Sequence, residues 1–278
     1  MRKFAIGTAV SGALALSALA VPSASAATPD LTFSKVVVNS GKAIVVGTTS
    51  TVKVPITYTL TRPADLVIDY KTSAAGIMLY RGASLSKIYN EMEPGDVPTC
   101  TATTTTATTV TESCTEVIAL DPQDYLYEAA DATTWKAAGF YGRTSQDNDA
   151  SDGHISTEYG FDLWGPLGSV QVKRAAKLTT NATPEPVKKG RTLTVKGALT
   201  RADWDTTTYT GYTGRPVALQ FKAKGATAYK TVKTVTSGAR GALTTTVKAS
   251  ADGSYRYKFA GTTTTGAATS TGDYVDVK

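Results

Sequence analysis

Apolar side chains fall on every second position along residues 52–60. The apolar positions are Val52, Val54, Ile56, Tyr58 and Leu60. Because successive side chains of a β-strand point to opposite faces, this period predicts a strand with one buried face. Pro55 has no N–H to donate to a ladder, which favours an edge position or a bulge at that point.

The same alternation returns along most of the chain. It is clear at residues 66–70, 217–223, 243–247 and 255–259, and turns containing glycine separate the later segments. Threonine and valine, which suit a pleated and half-buried surface, are frequent, and a short helix is expected only within residues 121–141. Short strands spaced by about ten residues are typical of an immunoglobulin-like β-sandwich. We therefore predict an all-β protein.

The first 26 residues have the pattern of an export signal. Arg2 and Lys3 precede an apolar run that ends near Val21, and residues 24–26 offer small side chains to a signal peptidase. The apolar run is short for a membrane span, and no stop-transfer charges follow it. We expect a mature protein that begins at Ala27, lacks a membrane span and is secreted to the extracellular medium.

Charge divides the mature sequence into two parts. Residues 27–173 contain 10 Lys/Arg and 17 Asp/Glu, so their net charge is 10 − 17 = −7. Residues 174–278 contain 17 Lys/Arg and 6 Asp/Glu, so their net charge is 17 − 6 = +11. About 250 residues also exceed the usual size of one small sandwich. We predict two tandem Ig-like β-sandwich domains, an acidic one at 27–173 and a basic one at 174–278.

Cys100 and Cys114 are the two cysteines of the chain. In an exported protein, two thiols this close in sequence are most simply explained by one disulfide. The segment between them consists almost entirely of threonine and alanine. We expect an exposed hairpin that the disulfide closes at its base.

Three segments of the second half carry a family resemblance. They are GRTLTVKGALTRADW at 190–204, GYTGRPVALQFKAKGATAYKTVKTV at 211–235 and the stretch from ADGSYRYKFAGTTTT at 251 to the closing GDYVDVK. With VVVNSGKAIVVG at 36–47 and DATTWKAA at 131–138, the chain resembles two-domain secreted actinobacterial proteins with Ig-like domains. That resemblance implies tandem β-sandwiches, export and mostly no assigned activity. Some of these proteins are labelled calcium-binding protein.

One acidic segment has the spacing of a calcium loop. Asp147, Asp149, Ser151 and Glu158 match donor positions one, three, five and twelve of an EF-hand loop. Asp152 occupies the position where the loop needs glycine, and strand-like sequence surrounds the segment. The two hypotheses are an irregular calcium site and an acidic, solvated turn. Calcium is the only cofactor that the sequence suggests.

Three aromatic residues form a candidate carbohydrate site. Trp204, Tyr209 and Tyr212 lie close together in a presumed loop, and aromatic faces can stack on sugars. The alternative is that Trp204 caps the sandwich core.

Lysines and arginines recur along the strands of the basic half, for example Lys188, Lys189, Arg191 and Lys196. Such a surface could bind an anionic cell-wall polymer, or it could simply discourage aggregation at strand edges. Export and the lack of a reading motif argue against nucleic acid as the partner.

These patterns favour a secreted, non-enzymatic binding or structural protein that acts at the cell envelope or in the medium. The expected partner is an anionic cell-wall polymer or a polysaccharide. A calcium-binding module at residues 147–158 and a hydrolase are the alternatives. His154 and the carboxylates of residues 121–131 form no constellation typical of catalysis. The sequence does not determine the oligomeric state.

Overall fold

The computed structural model describes residues 28–143 and 161–278, and 61% of these residues lie in strands and 6% in helices. The strands are β1 Thr32–Val38, β2 Ile44–Val46, β3 Val52–Pro63, β4 Ser73–Ser84, β5 Lys87–Met92, β6 Thr99–Thr105, β7 Thr109–Leu120, β8 Thr134–Arg143, β9 Phe161–Arg174, β10 Ala176–Leu178, β11 Asn181–Thr183, β12 Thr192–Asp203, β13 Thr208–Gly211, β14 Pro216–Ala223, β15 Lys230–Thr236, β16 Ala242–Lys248, β17 Gly253–Phe259, β18 Ala268–Thr269 and β19 Asp273–Val275. The prediction of an all-β protein is confirmed.

The helical segments are short. They are α1 Pro122–Tyr125 and the 3-10 turns Asn39–Gly41, Ala129–Asp131 and Ala239–Gly241. The Asp121 side chain caps α1 by accepting the Gln123 N–H at 2.9 Å, and Pro122 occupies the first turn, where no N–H is needed. The helix lies at the start of the region where the sequence predicts one; a 3-10 turn follows at Ala129–Asp131, and the region ends in β8 from Thr134 onward.

The chain separates into two compact units. Of the described residues, the first unit comprises 28–42, 53–120, 134–143 and 161–170, and the second comprises 43–52, 121–133 and 171–278. Three segments of the first 173 residues, 43–52, 121–133 and 171–173, thus belong to the second unit. The sequence predicts that residues 27–173 and 174–278 are separate domains. The division into compact units does not test whether they fold independently, so this boundary stays a prediction.

The first unit contains two sheets. One has the strand order β1-β3-β7-β6, and the other contains β9, β8, β4 and β5 in that order. Along β3 the predicted alternation is present, since Val54, Ile56, Tyr58 and Leu60 are buried. The edge position expected from Pro55 is wrong, because β3 lies between β1 and β7. The β1 ladder ends at the Val38↔Ile56 pair, and Pro55 lies one residue before Ile56, outside the ladder, so its missing N–H removes no bond from it.

The second unit is a sandwich of two sheets. In one, β12 pairs with β10, β11, β13 and β16, and in the other β14 and β17 lie at the centre with β15, β18 and β19 around them. Apolar residues from both sheets form its core, including Leu193, Val195, Leu219 and Phe259. The Tyr257 hydroxyl donates to the Val195 carbonyl at 3.0 Å and thereby joins the sheets across that core. The predicted sandwich architecture is confirmed for this unit.

Candidate anion-binding site

The predicted calcium ligands Asp147, Asp149, Ser151 and Glu158 lie outside the described residues. Their assignment therefore stays a prediction. Within residues 28–143 and 161–278, no three histidine, cysteine or acidic side chains form a group that could hold a metal ion. The described part of the chain also contains no helix of the length and apolar character required to cross a membrane.

Trp204, the first of the predicted aromatic ligands, is packed against protein. It follows β12 directly and is only 4% exposed. Its indole N–H donates to the carbonyl of Gly47 at 2.8 Å, and the Arg174 guanidinium lies 5.4 Å from its ring centre. The indole is therefore held by contacts within the second unit.

Tyr209 and Tyr212 are also covered by cations. The Lys177 ammonium lies 3.7 Å from the ring centre of Tyr209. Tyr212 is buried, with the guanidinium groups of Arg201 and Arg215 at 4.3 and 4.7 Å from its ring centre. A stacked sugar would have to displace these cations, so the carbohydrate-binding assignment of the three aromatic residues stays a prediction.

The second unit also contains an open cleft of about 470 Å³. It is lined by Pro184, Pro186, Val187, Lys188, Gly190, Arg191, Thr192 and Lys248, and we call it the basic cleft. Three of the lining residues are cationic, and none is acidic. Lys188 and Arg191 are basic residues that the sequence singles out, and the structure brings Lys248 to them from a distant segment.

Backbone pairing fixes the walls of the basic cleft. The Gly190 N–H donates to the Ala249 carbonyl at 2.7 Å, and the Ala249 N–H returns a bond to the Arg191 carbonyl at 3.0 Å. Gly190 has a φ of +79°, a conformation that glycine adopts without strain. Val187 is buried and exchanges backbone bonds with the segment 276–278. Lys188 and Arg191 therefore extend from a well-supported turn, and Lys248 extends from the end of β16.

The electrostatics of the cleft favour an anion. The side chains of Lys188, Arg191 and Lys248 are exposed, and Lys248 donates to the Thr192 hydroxyl at 3.1 Å. The neighbouring acid Glu185 does not line the cleft. Burial and the nearby Asp273 carboxyl raise the pKa of Glu185, so its electrostatic partner is another acid rather than these cations. Positive charge in the cleft thus has no carboxylate within the lining to neutralise it.

No feature of the sequence marks Lys248 as a member of this site. It lies 56 residues beyond Thr192 and becomes its neighbour only because β16 pairs with β12 in the register Thr192↔Lys248. No local pattern encodes that pairing, whereas the run of basic residues at 188–191 is visible in the sequence.

No family model and no curated protein matches the chain. Among solved structures it is similar to the ectodomain of mouse nectin-like molecule 4, with 14% identity, a TM-score of 0.23 and coverage of 88% of this chain and 65% of that one. For the Yersinia pseudotuberculosis adhesin InvE, the identity is 11%, the TM-score is 0.26 and the coverage is 84% of this chain and 56% of that one. The chain thus spans less than two thirds of the length of either structure. Likenesses this distant carry no functional argument, and the predicted actinobacterial family stays a prediction.

Proposed function

We propose that this protein is a secreted, non-enzymatic binding protein whose second unit holds an anionic extracellular polymer in the basic cleft. The observation that carries this proposal is the cluster of three exposed cations, without a carboxylate, around one cleft. Flexible ammonium groups and a guanidinium suit the phosphate or carboxylate groups of cell-wall polymers.

The charge distribution supports the same proposal. Residues 174–278 carry a net charge of 17 − 6 = +11, so their field attracts polyanions before contact. The cleft lining consists of cations, prolines and small residues, with neither histidine nor carboxylate. Such a lining is suited to electrostatic binding rather than to general acid–base catalysis.

Charge removal in the cleft tests this function. We expect the triple variant Lys188→Gln, Arg191→Gln and Lys248→Gln to bind wall teichoic acid roughly tenfold more weakly than the original protein at low ionic strength. Binding of the original protein should weaken as salt is added, because exposed charges are screened. Retention on immobilised teichoic acid over a salt series measures both effects.

A matched variant separates the cleft from the general charge of the unit. Lys230→Gln, Lys233→Gln and Lys258→Gln also remove three exposed positive charges from the second unit, but from strands β15 and β17. We expect this control to lose much less affinity. Equal losses in the two triple variants would assign binding to overall charge and reject the cleft.

A further inference from the structure

A second group of cations lies around Tyr212, near the other end of β12 from the basic cleft. Arg174 ends β9, Arg201 lies in β12, and Arg215 immediately precedes β14. We call these three side chains the arginine cluster. The guanidinium groups of Arg201 and Arg215 lie over the Tyr212 ring, and that of Arg174 lies over Trp204.

The charges of the arginine cluster act on one another and on Tyr212. Burial lowers the pKa of Arg174, and the positive charge of Arg201 lowers it further. Burial alone would raise the pKa of Tyr212, but the hydroxyls of Thr265 and Thr262 and the charges of Arg215 and Arg201 lower it overall. Three like charges are thus close enough to act on the same few groups.

Two buried donors of the cluster have no hydrogen-bond partner among the described residues. They are the Nε atoms of Arg174 and Arg215, and the whole Arg174 residue is only 5% exposed. Leaving a buried charged donor unsatisfied is costly, and such groups are uncommon in folded proteins. Stacking occupies the face of a guanidinium and leaves its N–H edge free for an oxyanion.

The carboxylates near Arg174 do not satisfy its buried Nε–H. The carboxylates whose charges act on Arg174 are those of Asp203 and Asp131. Asp131 is buried and already accepts the N–H groups of Tyr127 and Glu128 at 2.9 and 3.1 Å. The Asp131 carboxylate is therefore already engaged by backbone N–H groups and does not satisfy the Nε–H of Arg174.

From this geometry we infer that the arginine cluster binds one small oxyanion group, with the Nε–H edges of Arg174 and Arg215 as donors. Phosphate, sulfate and carboxylate share the required chemistry, because each presents negatively charged oxygens to an N–H edge. The group could be a free inorganic ion or an acidic substituent on a polymer. The site is separate from the basic cleft, so neither inference depends on the other.

Thermal unfolding of the full chain with inorganic phosphate tests this site. At ten times the dissociation constant we expect a rise in Tm of roughly 3 to 6 °C, which saturates as phosphate increases at constant ionic strength. Arg215→Lys keeps the charge but removes the Nε–H edge, so it should lose the saturable rise. Arg201→Gln is a second variant that leaves both proposed donors intact, and we expect it to need several-fold more phosphate for the same rise.

Arg143→Lys, at an exposed position in β8 outside both sites, is the matched control and should respond like the original protein. A rise that does not saturate and is equal in all variants would be the general stabilising effect of phosphate and would overturn the inference. Absence of a saturable rise with both inorganic phosphate and wall teichoic acid would do the same. Wall teichoic acid, added in place of inorganic phosphate, distinguishes the two sources. If only the polymer gives a shift that Arg215→Lys abolishes, the oxyanion belongs to the polymer.

Discussion

Glu116 is an acidic residue inside the core of the first unit. It is only 7% exposed, and one carboxyl oxygen accepts the backbone N–H of Ile77 at 2.7 Å. Its other carboxyl oxygen has no hydrogen-bond partner among the described residues. Burial raises the pKa of Glu116 to about 8, although the bond from Ile77 and the Tyr58 side chain act in the opposite direction. The folded protein therefore keeps a proton on this carboxyl at neutral pH.

This proton makes the stability of the first unit depend on pH. Between the ordinary glutamate pKa of 4.5 and about 8, the folded state binds a proton that the unfolded state releases. The stabilisation is fully present below 4.5 and is lost as the pH rises through about 8. We predict that Tm falls over this range. Glu116→Gln should flatten the fall, because glutamine has no carboxyl proton to release. Its side-chain carbonyl can still accept the Ile77 N–H, so the variant keeps that hydrogen bond. Melting curves from pH 5 to pH 8.5 measure the effect.

Glu93 also makes Tm fall as the pH rises, both in the original protein and in Glu116→Gln. Burial and the nearby Glu91 raise its pKa to about 7. The informative quantity is therefore the difference between the original protein and Glu116→Gln at each pH. If the two profiles run parallel, the buried proton at Glu116 does not contribute to stability.

The sequence contains a signal for Glu116 but not for its partner. Cys114, Glu116, Ile118 and Leu120 occupy alternate positions of β7 and are all buried, so the period of the strand puts an acid on an inward face. Ile77 lies 39 residues away on the other sheet of the unit, and no spacing along the chain connects the two. Similarly, Trp204 is recognisable as an aromatic residue after a strand, but its acceptor at Gly47 is 157 residues away.

At the level of elements, the β6–β7 hairpin is stabilised differently from the rest of the first unit. Six of the seven residues of β6 are exposed, so this strand buries little apolar area. Cys100 and Cys114 face each other in the register of the two strands and form the predicted disulfide. The bond closes the Thr-rich segment into a loop, as the sequence predicts. Chain entropy, rather than packing, is thus the main factor that orders β6.

Removing the disulfide should therefore destabilise the first unit. For Cys100→Ser with Cys114→Ala, we expect a loss of roughly 3 kcal/mol in the free energy of unfolding. Alanine is chosen at 114 because that side chain is fully buried. Urea denaturation of the oxidised protein and the variant measures the difference. Thr101→Ala with Ser113→Ala, the adjacent exposed cross-strand pair, is the control and should cost much less.

Alternation predicts strands well but not their neighbours. The period along residues 52–60 identifies β3. Pro55 favoured an edge position or a bulge, whereas β3 lies between β1 and β7 in the sheet. A proline removes one donor on one side, and β1 ends its ladder at the residue just after that point. The cations of the basic cleft show the same limit, because the register of β16 on β12 depends on packing across the whole second unit.

At the level of the whole molecule, the core of the second unit lies within residues 174–278. Its buried apolar residues run from Ala182 to Val275, and both sheets of the sandwich contribute to them. Residues 43–52 and 121–133 join this unit from earlier in the chain. The first of these segments supplies the Gly47 carbonyl that accepts the Trp204 indole N–H. This core cluster thus belongs to the later segment, whereas the earlier segments add further buried apolar residues such as Ile44, Val46 and Leu126.

We predict that a fragment of residues 174–278 folds but is less stable than the same unit in the full chain. It contains every residue of the core cluster that runs from Ala182 to Val275, so it should unfold in one cooperative transition by circular dichroism. Trp204 is its single tryptophan and lacks the Gly47 acceptor, so its emission should shift to longer wavelength than that of a buried indole. Extending the fragment back to residue 43 restores the acceptor and should reverse both changes. A fragment without a cooperative transition would show that the boundary after residue 173 does not separate independently folding domains.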